Sequence, residues 1–218
     1  MYKAVIFDWD GTLADTKRVI VLSFQKTLKE SNLNVSDEYI ERRIGIGAAE
    51  TFREILRSAN RQVDEGLVAS LVERKSQLEI EYASQVKLFP SVQDLLGALH
   101  GRLNVGLASM NNRSVIMHLL ESNNLTKYFA TILTAESISY SKPNPEIFLK
   151  TAEKLKTSPE RCVVLEDSIF GVKAAKSGGM GCIAVTTGVY SRAELEKENA
   201  DLVVDSLADK LVLCFILE

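Results

Sequence analysis

Six short apolar runs punctuate the chain: Ala4–Phe7, Leu103–Ala108, Thr131–Leu133, Cys162–Leu165, Cys182–Thr186 and Leu202–Val204. Most are apolar throughout rather than alternating, the pattern of strands covered on both faces. Helix signals lie between the later runs. Ser91 stands as a cap residue before Val92-Gln93-Asp94, and Asn144-Pro145 and Ser158-Pro159 each place a cap residue ahead of a proline at the first helical position. Ser191 and Glu194 have capping-box spacing, and Gly178-Gly179 stops a helix that begins near Ser168. Strands alternating with helices predict an α/β fold built on a doubly wound parallel sheet.

One stretch breaks the alternation. From Thr16 to Ser84 no strand signal occurs. The apolar residues Val19, Ile20, Leu22, Phe24 and Leu28, then Phe52, Ile55 and Leu56, then Leu67, Leu71 and Leu78, are spaced as helix faces. This predicts a helical domain of residues 16–84 inserted into an α/β core of residues 1–15 and 85–218.

At 218 residues the chain is long enough for one sizeable core with a small insertion. Its composition, 46% hydrophobic and 25% charged, argues against a disordered or fibrous protein. A net charge of -3 does not recommend nucleic acid as a partner. No apolar stretch approaches the roughly 20 residues that cross a bilayer, and no membrane partner is expected. The chain begins on a strand-like run without a signal peptide. Cys162, Cys182 and Cys214 form no close-spaced pair, which suits buried thiols in a reducing compartment, and the expected location is the cytoplasm.

Ligands of open α/β sheets bind beyond the carboxyl ends of the strands. Asp8 and Asp10 follow the first run, Ser109 follows the second, Lys142 lies past the third, and Glu166-Asp167 follow the fourth. Converging carboxylates repel, and some must hold protons unless a cation joins them. Mg²⁺ suits such an oxygen-rich site and brings substrate phosphate with it. Lys142 adds a point charge for phosphate. Ser109, with the backbone N–H groups after it, offers phosphate donors, and Asn111 is a further candidate. The two histidines, His100 and His118, stand at no strand end, so no Ser-His-Asp set is suggested. A carboxylate needs no base to attack phosphorus. Asp8 is therefore the expected nucleophile, forming an aspartyl-phosphate. Asp10 is the expected acid and base, which requires a raised pKa.

The segments Asp8-Trp9-Asp10-Gly11-Thr12-Leu13, Ser109, Lys142-Pro143 and Glu166-Asp167 resemble, in order, the four motifs of the haloacid dehalogenase-type phosphohydrolases. "SKPNPEIF" followed by "LEDSIFGV" is similar to the phosphoglycolate phosphatase and β-phosphoglucomutase branch. The resemblance implies a Rossmann-like core, a helical cap at residues 16–84, and Mg²⁺ dependence. It implies that Asp8, the Asp10 backbone carbonyl and Asp167 hold the metal, with Glu166 bound directly or through water. Where the mutases of that branch carry a histidine past the first motif, this chain has Ile20. The expected function is a phosphatase of a small phosphorylated metabolite, phosphoglycolate phosphatase-like, acting as a monomer or homodimer. The alternatives are a sugar-phosphate mutase and a non-catalytic phospho-accepting regulator.

Other residues carry lesser expectations. Thr12 is placed to orient Asp10, and Asp15 to brace the turn leaving the site. Lys75 and Arg43 are candidate substrate contacts. Gly45-Ile46-Gly47-Ala48-Ala49 follows no strand, so it reads as a loop facing the substrate rather than a dinucleotide fingerprint.

Overall fold

The computed structural model describes residues 1–217. Six strands form one parallel sheet: β1 (Ala4–Phe7), β4 (Asn104–Ala108), β5 (Thr131–Leu133), β6 (Cys162–Glu166), β7 (Gly181–Val185) and β8 (Leu202–Val204). Their spatial order is β5-β4-β1-β6-β7-β8. Counted along the chain as core strands alone, this is 3-2-1-4-5-6, the doubly wound order in which the winding reverses at the first strand. The expected fold class is met: Ala4–Phe7, Thr131–Leu133 and Leu202–Val204 have the anticipated bounds, and the other three strands differ from theirs by one residue at one or both ends.

The two remaining strands, β2 (Ala14–Asp15) and β3 (Lys87–Leu88), pair antiparallel in a separate ribbon. Between them lie α1 (Lys17–Glu30), α2 (Asp37–Glu41), α3 (Ala48–Ser58) and α4 (Glu65–Glu81). These helices bury their own apolar cluster, which includes Phe24, Leu28, Phe52, Ile55 and Leu71. The Phe24 and Phe52 rings, 4.8 Å apart at their centroids, tie α1 to α3. Burying an aromatic or aliphatic side chain of this size contributes about 1.5–3 kcal/mol.

Alternate residues of the central strands fall into two clusters, one on each face of the sheet. Val5, Phe7, Leu107, Val163 and Leu165 pack under α5 (Val92–Leu99), α6 (Arg113–Ser122) and α10 (Lys210–Leu217). Ala4, Ile6, Ala108, Cys162 and Val164 pack under α7 (Glu146–Lys154), α8 (Ile169–Ser177) and α9 (Arg192–Lys197). Burial on both faces explains why the strand runs lack alternation. No helix among the described residues is long and apolar enough to cross a membrane.

Local signals fare unevenly. The Ser191–Glu194 capping box forms, and Ser168 Oγ caps α8 by accepting from Gly171 N. Asn144 Oδ1 accepts from Glu146 N at 2.9 Å at the start of α7. Ser91 does not cap: its backbone is left-handed (φ 65°) rather than extended, and its hydroxyl makes no hydrogen bond to the first turn of α5. Ser158-Pro159 opens only a three-residue 3₁₀ turn, because the Ser158 hydroxyl is drawn to Glu160. Cys162 and Cys182 are buried as expected, but Cys214 is exposed on α10.

Candidate active site

β1 pairs with β4 on one side and β6 on the other, so the chain leaves β1 into the crevice where the winding reverses. Asp8 follows β1 directly, Ser109 follows β4 directly, Glu166 ends β6, and Asp167 comes next. Lys142 arrives from the loop between β5 and α7. All are buried, as are Asp10 and Asn111. The structure thus brings every expected site residue into one crevice.

Lys142 lies at its centre. Its Nζ donates to Asp8 Oδ1 at 2.7 Å, to Glu166 Oε1 at 2.5 Å and to the Ala108 carbonyl at 3.4 Å. The three donors of the ammonium thus meet three protein acceptors, and only the long Ala108 contact is easily exchanged for a phosphate oxygen. Burial works against the charged amine, but Asp8 and Glu166 outweigh it and hold Lys142 protonated well above the usual lysine range.

Glu166 is committed on both oxygens. While Oε1 takes Lys142, Oε2 accepts from Asp167 N, Ser168 N and Ser168 Oγ at 3.0–3.1 Å. Helix α8 begins here, and Gly171 in its first turn leaves the space that the Glu166 carboxylate occupies. Glu166 therefore joins Lys142 to the start of α8.

Asp8, Glu166 and Asp167 each offer an oxygen, and the three oxygens lie within 4.8 Å of one another. Burial raises the Asp8 carboxyl well above its ordinary value; Lys142 opposes the rise, while Glu166 and Asp10 add to it. Burial and then the charges of Glu166 and Asp8 raise Asp167 likewise. Three buried carboxylates face one ammonium. This donor set, all hard oxygen, fits a divalent cation that completes the charge balance. The backbone makes room for it: a side chain at Gly11 (φ 81°) or Gly188 would overlap the Asp167 carboxylate. Thr12 Oγ1 donates to Asp167 Oδ1 at 3.2 Å. Thr12 thus orients Asp167 rather than Asp10, because the turn after Asp10 carries its side chain toward the end of β6. Asp15 is exposed in β2, where it pairs with Lys87 in the ribbon.

Asp10 faces the helical insertion. Burial raises its carboxyl, and Lys75 opposes the rise. Its Oδ1 is buried without a hydrogen-bond partner. Above it, Lys75 and Glu79 on α4 form a buried ion pair at 2.7 Å. Asn111 joins this pair to the core: its Oδ1 accepts from Lys75 Nζ and its Nδ2 donates to Glu79 Oε1, both at 3.5 Å. Ser109 Oγ accepts from Asn111 N at 3.1 Å and keeps its own proton free to donate.

Glu79, Thr187 and Gly188 were not anticipated. Val68, Leu71, Lys75, Leu78 and Glu79 share the buried face of α4, so two charges interrupting an apolar stripe were the signal for Glu79. Thr187 Oγ1 donates to the Gly11 carbonyl at 2.6 Å and closes the turn beside Asp167. The glycine loop meets the core on both sides of the crevice. Gly45 (φ 109°) abuts Ser168 and Gly47 (φ 95°) abuts Met110, positions where a side chain would collide. Arg43 lines the small cavity beside Asp10 and is paired with Glu54, 2.5 Å from its Nε.

Comparison with known proteins agrees with this geometry. The haloacid dehalogenase-like hydrolase family model matches residues 5–185. Pyrophosphatase PpaX of Oceanobacillus iheyensis is 28% identical over 97% of this chain and 96% of its own length. A phosphoglycolate phosphatase of Salmonella typhi is 30% identical over 96% of this chain and 91% of its own. Among solved structures, a β-phosphoglucomutase from Clostridium difficile superposes with a TM-score of 0.87 at 25% identity, covering 99% of this chain and 97% of that one. The chain is therefore a member of the haloacid dehalogenase-like hydrolases, and within that family it is a phosphoric monoester hydrolase.

Proposed function

We propose that the protein is a Mg²⁺-dependent phosphatase of small phosphomonoesters that works through an aspartyl-phosphate on Asp8. The observation that carries this reading is the placement of Asp8 at the reversal of the sheet, 2.7 Å from Lys142 and beside Asp167 and Glu166.

Lys142 holds Asp8 Oδ1 and leaves Oδ2 as the nucleophile. Oδ2 forms a bond to phosphorus as the ester oxygen departs, and Asp10 gives that oxygen its proton. Asp10 then takes a proton from water, the water oxygen bonds to phosphorus, and the acyl phosphate breaks to return Asp8 and inorganic phosphate. A carboxyl raised by burial suits this exchange, because it holds its proton nearer to neutrality than a free aspartate does. Ser109 Oγ and the backbone N–H groups after it receive phosphate oxygens. When bound by Asp8, Asp167 and the Asp10 carbonyl, Mg²⁺ supplies the positive charge that balances carboxylates and phosphate. Glu166, already fully hydrogen-bonded, supports it from behind and anchors Lys142. Most of the rate enhancement of phosphoryl transfer comes from such positioning and charge neutralisation.

The helices α1–α4 act as a cap that closes over the crevice and excludes water. Residues 16–84 then form the cap and residues 1–15 and 85–218 the core, with hinges at Leu13–Thr16 and Ser84–Leu88. Ile20, at the position where the related mutases carry histidine, lines the same small cavity as Asp10 and offers no proton there. This favours hydrolysis over transfer back to a sugar. The relatives' names place phosphoglycolate and pyrophosphate among the compounds to be tried. The test is release of phosphate from p-nitrophenyl phosphate with and without Mg²⁺, together with trapping of the acyl phosphate by hydroxylamine. Undiminished turnover in Asp8→Asn would overturn the mechanism.

A further inference from the structure

The path of the leaving group can be followed from Asp10. A cavity of about 30 Å³ beside Asp10 is walled by Ile20, Phe24, Lys75 and Asn111. It shares Gly47, Ala48 and Met110 with a larger cleft of about 270 Å³ between α3, α4 and the loops after β4 and β5. A leaving group departing from Asp8 past Asp10 would meet Lys75 and then this cleft.

Every cation along that path already has a carboxylate of its own. Lys75 is 2.7 Å from Glu79, with both side chains nearly inaccessible to water. Arg43 is 2.5 Å from Glu54. Arg53 lies 2.8 Å from Glu65 and 3.1 Å from Glu50. In the larger cleft one arginine, Arg53, stands against two carboxylates, Glu65 and Glu136. A second anionic group on the substrate would have to break a pair, and breaking Lys75–Glu79 leaves a buried charge uncompensated. Hydroxyls meet the opposite reception. Ser139, Ser141 and Asn112 line the cleft with neutral donors and acceptors. Behind Lys75, the Glu79 carboxylate is buried and cancels the lysine charge that a second anion would need.

We infer that the leaving group is an uncharged polyhydroxy alcohol: the substrate is a monophosphate of a small polyol or sugar, with no carboxylate or second phosphate. This rests on the phosphatase reading above and names its substrate class. Glu79 is then a specificity-determining residue, because it cancels the charge of Lys75 in the cavity beside Asp10. The inference separates this chain from an enzyme of phosphoglycolate or pyrophosphate, whose leaving groups are anionic.

The test uses pairs of substrates in which a hydroxymethyl group is replaced by a carboxylate. Glycerol 3-phosphate and 3-phosphoglycerate share a carbon skeleton, as do 2-hydroxyethyl phosphate and 2-phosphoglycolate. With the purified enzyme and Mg²⁺, kcat/KM for the neutral member of each pair should exceed that of the anionic member by about tenfold or more. In Glu79→Gln the ratio should move toward the anionic member by a similar factor, because Lys75 is freed. Glu54→Gln, which frees the half-buried Arg43, gives a second reading in the same direction should the first variant fold poorly. Equal or reversed preference in the wild-type enzyme, with p-nitrophenyl phosphate still hydrolysed, overturns the substrate class and leaves the phosphatase standing. Ratios unchanged in both variants overturn the role of the paired cations. No hydrolysis of any ester, p-nitrophenyl phosphate included, overturns the phosphatase reading and this inference with it.

Discussion

Lys142 Nζ and Asp8 Oδ1 lie 2.7 Å apart with the lysine side chain wholly inaccessible to solvent. A buried ammonium is costly unless it is paired, and removing one partner of such a pair costs about 3–5 kcal/mol. Lys142→Met conserves length but leaves Asp8, Glu166 and Asp167 without their cation. It should lower stability by about that amount in urea unfolding and reduce kcat by about 100-fold or more. Wild-type stability in Lys142→Met would refute the central place given to this pair.

Asp10 is assigned both proton transfers, and the two can be separated by the leaving group. Asp10→Asn should slow hydrolysis of an alkyl phosphate by about 10²–10⁴-fold, the usual worth of general acid catalysis. p-Nitrophenolate needs no proton to depart. With that ester the variant should show a burst of one p-nitrophenolate per enzyme, followed by slow turnover as the aspartyl-phosphate waits for an activated water. Stopped-flow absorbance reads both phases; a linear trace at the wild-type rate would exclude the assignment.

Gly188 leaves no room for a side chain next to the Asp167 carboxylate. Gly188→Ala should displace Asp167 and thereby raise the Mg²⁺ concentration needed for half-maximal activity, with a smaller change in maximal rate. Titration of activity against Mg²⁺ measures this, and an unaltered midpoint would show that Asp167 does not hold the metal.

Arg42 of the insertion reaches Glu194 of the core, its guanidinium stacks 4.2 Å from the centroid of the Tyr190 ring, and the Tyr190 hydroxyl donates to the Arg42 carbonyl at 2.6 Å. The Arg42 hydrogen bond, followed by those from Ser191, lowers the Glu194 carboxyl to about 2. Because the folded value lies below the unfolded one, the pair stabilises fully above the ordinary glutamate range and loses its contribution as pH falls through the interval toward about 2. Both side chains are near 40% exposed, so the effect is at most about 1 kcal/mol. The melting temperature of wild type should exceed that of Glu194→Gln at neutral pH, and the difference should narrow below pH 4.5 and close as pH approaches about 2. A constant difference down to that pH would mean that Glu194 titrates normally.

The core of the site was readable because each strand delivers its polar residue at once. Asp8, Ser109 and Glu166 need only the end of an apolar run to be placed, and the structure sets them around one crevice. Lys142 was harder, since it lies in a loop well past β5 and gains meaning only from its neighbours. Glu79 was missed because a lysine and a glutamate four residues apart on a helix ordinarily mark a solvated face. Only tertiary packing against Asn111 turns that pair inward. The partner of Thr12 was misjudged for a similar reason: Asp167 lies 155 residues away in sequence, and no local spacing reports it.

The β2–β3 ribbon brings the outgoing and returning ends of the helical insertion together as hydrogen-bonded neighbours, with Ala14 opposite Leu88 and Asp15 opposite Lys87. Paired backbones of this kind run about 5 Å apart. The insertion is thus joined to the sheet like a cassette spliced at a single seam. Replacing it with the corresponding helices of a relative, or closing the seam with a short turn, requires no rerouting of the core chain. New leaving-group preferences are then open to exchange of one contiguous segment, while Asp8, Ser109, Lys142 and Asp167 stay where the core places them.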